Sequence, residues 1–350
     1  MAYDVVVVGG GIGGLTVAAL LSARGVKTCL LERNSLVGGC VARVEFAGYD
    51  FEPGMGLYTS FGAGEIYDRV FSELPVDLPE TSLITGSENL YSIKGGPASV
   101  AERLAESIKK SGGVLRLNSP VLRLAYDQNG QNAVGVDLLS GETVIARKAI
   151  VSNLTVWDTY GKLIGLNRTP LETKKLLKTL QGFGAYVVYA SLEESAVGRL
   201  PGERFTIAEF TVAVSPPGSA PPGKRAVTIK TDTDPIDWFA FQASEEEYEE
   251  RDQAALEQVW TRLHEVLPQL GADIEIIETA NPRTLYDLTR RKLGMVLGIQ
   301  PNTEAGINTA PLGHQTSLPN VFMVGDTITA TARMDSIVES ALALTNQLTK

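Results

Sequence analysis

The run VVVVGGGIGGLTVAALLSARGVKTCLLERN over residues 5–34 constrains the fold more than any other part of the chain. Four valines in a row predict a short strand buried on both faces, and the glycines behind them end it. LTVAALLSARG then keeps an apolar face at helical spacing and stops at Gly25. VKTCLLE predicts a second buried strand, and the crossover rule makes the two strands parallel. Gly9, Gly11 and Gly14 spell GxGxxG between strand and helix. The three glycines allow a tight turn, close approach of backbone to a pyrophosphate, and close helix–strand packing. The helix start offers unpaired N–H groups and a partial positive charge to phosphates. Glu32, at the end of the second strand, is placed to accept hydrogen bonds from ribose hydroxyls, and its charge disfavours a 2′-phosphate. Strand, glycines, helix, strand and acid, in that order, predict a dinucleotide site.

Beyond residue 34 the pattern changes. A glycine-rich irregular stretch with a hairpin around Gly48 leads to a helix near 64–73. A strand, a long helix and several strands follow, up to VSN at 151–153, and 155–180 reads as helical. The section 183–242 is rich in β-formers, interrupted by SPPGSAPPGK at 215–224, which predicts an exposed extended loop. SEEEYEERDQAALEQVWTRLHEVLPQL predicts a long amphipathic helix whose acidic start suits its dipole. NVFMVGD and ARMDSIVESALALTNQL predict a last buried strand and helix.

Several function classes are disfavoured. A net charge of −10 argues against a nucleic-acid partner, which needs a basic face. Two cysteines, Cys29 and Cys40, in no CxxC pair, and two distant histidines, His264 and His314, give no metal-ligand spacing. The sequence carries no secretory leader pattern and no apolar run of membrane-spanning length, so a cytoplasmic location is expected, with at most peripheral contact with a membrane. There is no GxSxG, no HExxH and no second GxGxxG. Reducing equivalents would therefore pass through the substrate, oxygen, a quinone or a diffusible reductant.

Two features choose between FAD and NAD. ERNSLVGG continues from the second strand into the glycine pair Gly38–Gly39. The C-terminal strand ends in Gly325–Asp326 and runs toward a helix. A carboxylate there can meet a sugar-alcohol chain, and the helix start can face a ring that becomes anionic on reduction. NAD has no ribityl chain, so the pattern favours FAD.

With these residues in view, the chain resembles the flavin amine oxidase and phytoene desaturase superfamily, and within it the carotenoid isomerase, phytoene desaturase and retinol saturase branch. The resemblance rests on VVVVGGGIGGLTVAALLSARG, ERNSLVGGCVARVEFAGYDFEPGMGLY, IKGGPASVAERLAESIKKSGGVLRLNSPVLRL with AIVSNLTVWDTYGKLI, and LPNVFMVGDTITATARMDSIVESAL. It implies an α/β fold in which a GxGxxG Rossmann-type FAD domain (1–67, 91–165, 295–350) is interleaved with an α+β substrate domain on a mixed sheet (68–90, 166–294). It also implies that Gly9, Gly11 and Gly14 meet the pyrophosphate and Glu32 the adenosine ribose. Gly38 and Gly39 would pass close to the phosphates and flavin. Val121 would touch adenine through its backbone, and Gly325 and Asp326 the ribityl or phosphate region.

The chain departs from that pattern at three places. Cys40 stands where the amine oxidases carry Arg, and reads either as a small filler or as a thiol facing the flavin. TITATARMD replaces a Pro- and Gly-rich turn, which would set Arg333 and Met334 beside the flavin ring unless Arg333 faces solvent. The insertion between YTSFGAGEIYDRVF and NLYSIKGG is far shorter than in the long-polyene enzymes. Three readings stay open: a flavoenzyme acting on an apolar isoprenoid or polyene, an amine or protoporphyrinogen-type oxidase, and a non-catalytic FAD-binding protein. The first expects an apolar tunnel lined by FGAYVVYASL and DWFAFQA. The second expects an aromatic pair beside the flavin, for which Tyr58, Trp157 and Tyr160 are the candidates. No residue is singled out as catalytic.

Overall fold

The computed structural model describes residues 1–53, 58–84, 88–239, 244–300, 312–329 and 331–350. β1 (Ala2–Val8) leads through α1 (Ile12–Ala23) to β2 (Thr28–Leu31). A hairpin of β3 (Val44–Phe46) and β4 (Tyr49–Phe51) and the short α2 (Ile66–Phe71) follow. The antiparallel pair β5 (Thr81–Leu83) and β6 (Tyr91–Ile93) precedes α3 (Gly96–Lys110), β7 (Val114–Arg116), β8 (Val121–Tyr126), β9 (Ala133–Leu138) and β10 (Thr143–Ser152). α4 (Val156–Asp158), a π-helical turn and α5 (Leu171–Thr179) lead to β11 (Gln181–Glu193), β12 (Arg204–Ile207), β13 (Phe210–Val214) and β14 (Lys224–Thr233). The chain continues through α6 (Glu245–Val266), β15 (Ile274–Ala280), α7 (Pro282–Thr289), β16 (Val296–Gln300), β17 (Val321–Met323) and α8 (Met334–Leu348).

The strands form two large sheets. In one the order is β7-β2-β1-β10-β9-β8, with β17 also on β10; β7, β2, β1, β10 and β17 are parallel, β9 and β8 antiparallel. The other, β12-β13-β14-β11-β15, is antiparallel, and β16 pairs with the first residues of β11. The fold is thus the expected α/β architecture with mixed parallel and antiparallel sheets.

The N-terminal unit forms as its residues dictate. β1 and β2 run parallel with Val5 opposite Thr28 and Val8 opposite Leu31. α1 goes further than its periodicity predicts: every residue from Ile12 to Ser22 is buried, so it has no polar face. It lies against β1, α3 and α8 inside a shared apolar core that includes Leu15, Leu20, Leu104 and Val338. A helix that is apolar all round has only a core to occupy.

The opposite balance holds in α6. Its Ser244 hydroxyl accepts from the Glu247 N–H and the Glu247 carboxylate accepts from the Ser244 N–H, a capping box that fixes the acidic start. Only Leu263 on it is fully buried.

Two expectations for the second sheet change. β11, read as a tunnel wall, is buried on both faces from Gly184 to Leu192. Tyr186, Val188 and Ala190 pack toward Leu263 and Leu267, while Val187 and Tyr189 pack toward Tyr49 and Phe51. The residues of DWFAFQA do not begin a strand: Pro235–Trp238 is a 3₁₀ turn whose Trp238 ring lies 5.7 Å from Tyr186, and 240–243 lie outside the described residues. Alternation of side chains cannot distinguish a strand with one wall on a cavity from one packed on both sides. The loop 215–224, expected to be exposed, is exposed at about half of its residues and is anchored at two points. The Asp50 N–H donates to Ser219 O at 2.7 Å and the Glu52 N–H to Ser215 Oγ at 3.1 Å.

Candidate functional site

A cavity of about 690 Å³ opens where the carboxyl ends of β1 and β2 meet the starts of α1 and α8. Ligands of open α/β sheets bind at this end of the strands, where the connections leave in opposite directions.

Its floor is the glycine turn. Gly9 takes φ +99°, a region that side chains disfavour, so the chain can turn directly from β1 into α1. No side chain caps α1, so its first N–H groups face the cavity beside Gly11, Ile12 and Gly13. Gly14 does not line the cavity: a Cβ there would lie 2.2 Å from the Gly9 carbonyl oxygen, so the glycine lets helix and strand pack. The second glycine pair closes over the first. The Gly38 N–H donates to Gly10 O at 2.8 Å, and a Cβ on Gly39 would stand 3.4 Å from the Gly11 Cα.

Glu32, 9% exposed, holds this turn together. Its Oε2 accepts from the Gly10 N–H at 2.6 Å and its Oε1 from the Asn34 N–H at 2.8 Å. It also lines the cavity, and Ser119, Val121 and Leu122 form the wall next to it. Val121 belongs to β8 and pairs with Leu138.

At the other end, Gly325 takes φ +125° and turns β17 toward α8. Asp326 points into the cavity and pairs with Arg291, whose Nη2 lies 2.5 Å from Oδ2. Burial alone would pull the Arg291 guanidinium down, but Asp326 and its other anionic neighbours hold it above its ordinary value. Cys40 sits beside this pair; burial pushes its thiol up, against the pull of Arg291. Met334, buried, is the first residue of α8 and lines the cavity. Arg333, at the same wall, directs its guanidinium at Asp335 (Nη2 to Oδ2 2.5 Å) and the Thr59 hydroxyl.

Several wall residues escaped the sequence reading. Asn153, directly after β10, is wedged among the glycines. A Cβ on Gly11 would be 2.6 Å from its Nδ2, one on Gly13 2.8 Å from its Oδ1, and one on Gly325 3.1 Å from the same oxygen. VSN at the end of a buried strand was the available signal. Arg291, Asp158 and Lys162 form one side wall, and Thr211 and Lys230, opposite each other on β13 and β14, form another. Trp157 and Tyr160 do not reach the cavity among the described residues; the Trp157 Nε1–H donates to Leu177 O instead. The aromatic pair expected of an amine oxidase therefore does not form from Tyr58 with either of them.

Comparison with known proteins now bears on this geometry. Residues 7–74 match the model of the NAD(P)-binding Rossmann-like domain. Residues 80–347 match that of the flavin containing amine oxidoreductases, which is more than half of the chain. The protein belongs to the flavin-containing amine oxidoreductase family. Among its relatives, prolycopene isomerase 2 of an Oncidium hybrid cultivar is 27% identical over 249 residues, 66% of this chain and 41% of that protein. The carotenoid 3,4-desaturase of Haloarcula japonica is 40% identical over 74 residues, 21% of this chain and 15% of that one. The chain thus spans about two-fifths of the length of the prolycopene isomerases it matches. Among solved structures, an oxidoreductase from Methanosarcina mazei superposes with a TM-score of 0.73 at 14% identity, covering 99% of this chain and all of that one. A putrescine oxidase variant gives 0.66 at 12% identity, covering 100% and 99%. These two likenesses establish the shared fold. Membership of this family implies a flavin cofactor, and the carotenoid-related relatives agree with the branch that the sequence motifs resemble.

Proposed function

We propose that the protein is an FAD-dependent oxidoreductase that acts on an apolar isoprenoid or polyene. The observation that carries the cofactor half is the cradle itself. Two helix starts without side-chain caps, α1 and α8, border one cavity, and glycines whose added Cβ atoms would meet Asn153 lie between them. An anionic dinucleotide fits that arrangement on grounds of charge and space. Gly11, Gly13, Gly38 and Gly39 would take its diphosphate, Glu32 and Val121 its adenosine end, Gly325 and Asp326 its ribityl or phosphate region, and Arg333 and Met334 its flavin end. The FAD-binding part would comprise 1–67, 91–165 and 295–350, and the substrate part 68–90 and 166–294.

Bound flavin supplies hydride transfer at a carbon beside a conjugated system, as desaturation, saturation or redox-neutral isomerisation. The chain's own contribution is position and exclusion of water. Tyr58, fully packed and stacked under the Arg204 guanidinium at 4.2 Å, makes a rigid side of the cavity. Prolycopene isomerases and a carotenoid desaturase among the relatives support a polyene, and among the described residues neither Trp157 nor Tyr160 joins Tyr58 at the cavity as the amine-oxidase reading expects. Electrons would pass to or from oxygen, a quinone or a soluble reductant, and peripheral contact with a membrane would give access to an apolar substrate.

The deciding measurement is the visible spectrum of the purified protein before and after anaerobic dithionite. Oxidised-flavin bands that bleach are expected, with any bleaching-resistant bands reporting a bound polyene. A colourless protein that takes up no added FAD would overturn the proposal. Unreactive bound flavin would leave a binding protein in place of the enzyme.

A further inference from the structure

The segment 288–292 comes from the end of α7, in the part of the chain that carries the second sheet, yet it lies along the nucleotide side of the cavity. It is tied there by four hydrogen bonds at three alternate residues. The Leu288 carbonyl accepts from Arg33 Nη2 at 2.9 Å and Asn34 Nδ2 at 3.2 Å. The Arg290 carbonyl accepts from Lys162 Nζ at 3.4 Å, and the Lys292 N–H donates to Asp158 Oδ2 at 3.2 Å. Between these ties, Arg291 turns inward to Asp326. Arg290 and Leu293 both take left-handed backbone angles, φ +54° and +51°, which L side chains adopt at a cost. The segment is bent to a purpose that its own residue types do not favour.

We propose that Arg291 is a cofactor-positioning residue: carried by the strap 288–292, its guanidinium supplies the positive charge that meets the cofactor's diphosphate. This rests on the FAD reading above. Three observations carry it. Arg291 lines the same cavity as the phosphate-turn glycines, with a side chain only 17% exposed. Its Nε donates to Met295 O at 2.6 Å and its Nη2 to Asp326, which aims the group and leaves Nη1 without a partner among the described residues. Asp326 on the same wall would repel a diphosphate if left bare, and the guanidinium cancels that charge while keeping donors to offer. A guanidinium offers its donors in a fixed planar fork that can serve two anions in set directions, whereas an ammonium is a point charge with rotatable donors.

The test uses the full chain and the variants Arg291→Lys, Arg291→Met and the pair Arg291→Met/Asp326→Asn. Dissociation constants are measured for FAD, ADP and adenosine by titration, with thermal unfolding as a check that each variant is folded. Arg291→Met should bind FAD and ADP about 10- to 100-fold more weakly, the loss of a charge-assisted bond, with adenosine unchanged. Arg291→Lys should fall between. The paired variant removes the bare carboxylate, so it should stay weak if Arg291 itself meets the diphosphate. Wild-type affinity in Arg291→Met, or recovery in the paired variant, would overturn the proposal. A wild-type chain that binds ADP in the Arg291-dependent way but takes no FAD would sink the flavin reading alone, and one that binds neither would sink both.

Discussion

Arg291 and Asp326 meet at 2.5 Å in the wall of the cavity, and each is mostly shielded from solvent. One follows α7 and the other follows β17, so the contact ties a connection of the second sheet to the carboxyl edge of the first. Removing one partner leaves the other charge enclosed and unpaired. Asp326→Ala should therefore destabilise the fold by about 3 kcal/mol, near the lower end for a buried pair because both side chains keep some exposure. Urea unfolding with the slope compared between variants measures this. A change below ~1 kcal/mol would show that the pair is solvated in solution.

The glycines separate by what an added methyl would meet. Gly14→Ala would drive a Cβ into the Gly9 carbonyl oxygen, a backbone atom, at 2.2 Å. It should cost about 2 kcal/mol or more and weaken nucleotide binding, since helix and strand must part. Gly161→Ala meets nothing within 4 Å and should be neutral in stability. Equal effects from the two would contradict the close packing of α1 on β1.

Glu32 does two things at once, and they can be separated. Glu32→Gln keeps one acceptor for the Gly10 N–H but removes the charge, whereas Glu32→Ala removes both acceptors. The alanine variant should lose about 1–3 kcal/mol of stability, the cost of buried N–H groups left without partners. The glutamine variant should lose less. Chemical denaturation of both, side by side, gives the comparison.

Asp335 sets an acid limit. Burial pushes its carboxyl up, but Arg333, Thr59 and Ser60 outweigh this and hold it below the ordinary carboxylate range. A carboxyl that is more acidic folded than unfolded adds stability that is complete above its unfolded pKa and is lost as pH falls through its folded one. The melting temperature should therefore drop more steeply below about pH 4 in the wild type than in Asp335→Asn. Parallel acid limbs for the two proteins would rule Asp335 out as the titrating group.

The two thiols should be slow to react. Burial pushes Cys29 up to about 11 and raises Cys40 as well, so little thiolate exists at neutral pH. Iodoacetamide at pH 7.5 should label neither in the native protein and both after unfolding, as read by intact mass. Rapid native labelling at Cys40 would mark it as a reactive group of the cavity.

What the sequence disclosed was the part written in local periodicity. The βαβ unit, the hairpin at Gly48, the capped α6 and the final strand and helix each follow from residues adjacent in the chain. Gly9, Gly11, Gly38, Gly39 and Gly325 were legible for the same reason, since a turn needs them in a fixed local order, whereas Gly10 and Gly13 were not named and Gly14 serves packing. Arg291 was not, because TRRKLG reads as an ordinary basic helix end, and only the path of 288–292 brings it to Asp326. Asn153 was missed likewise: one polar residue after a buried strand has no periodic signature. The tunnel expected along β11 failed because the hairpin β3–β4 covers one of its faces, a long-range event that a strand's own residues do not record.

The central strand β10 also governs how this molecule can be assembled. Its Ile150–Ser152 edge lies between residues near the start of the chain, Val6–Val8, and residues near its end, Val321–Met323. No local nucleus can complete that part of the sheet, because both neighbours are far from it along the polypeptide. Chains dominated by such distant pairings fold slowly and expose unpaired edges while they wait. Gly325–Asp326 comes one residue after the last strand, so the cavity is finished only when the sheet is, and a growing chain on the ribosome would have no complete site to offer until then.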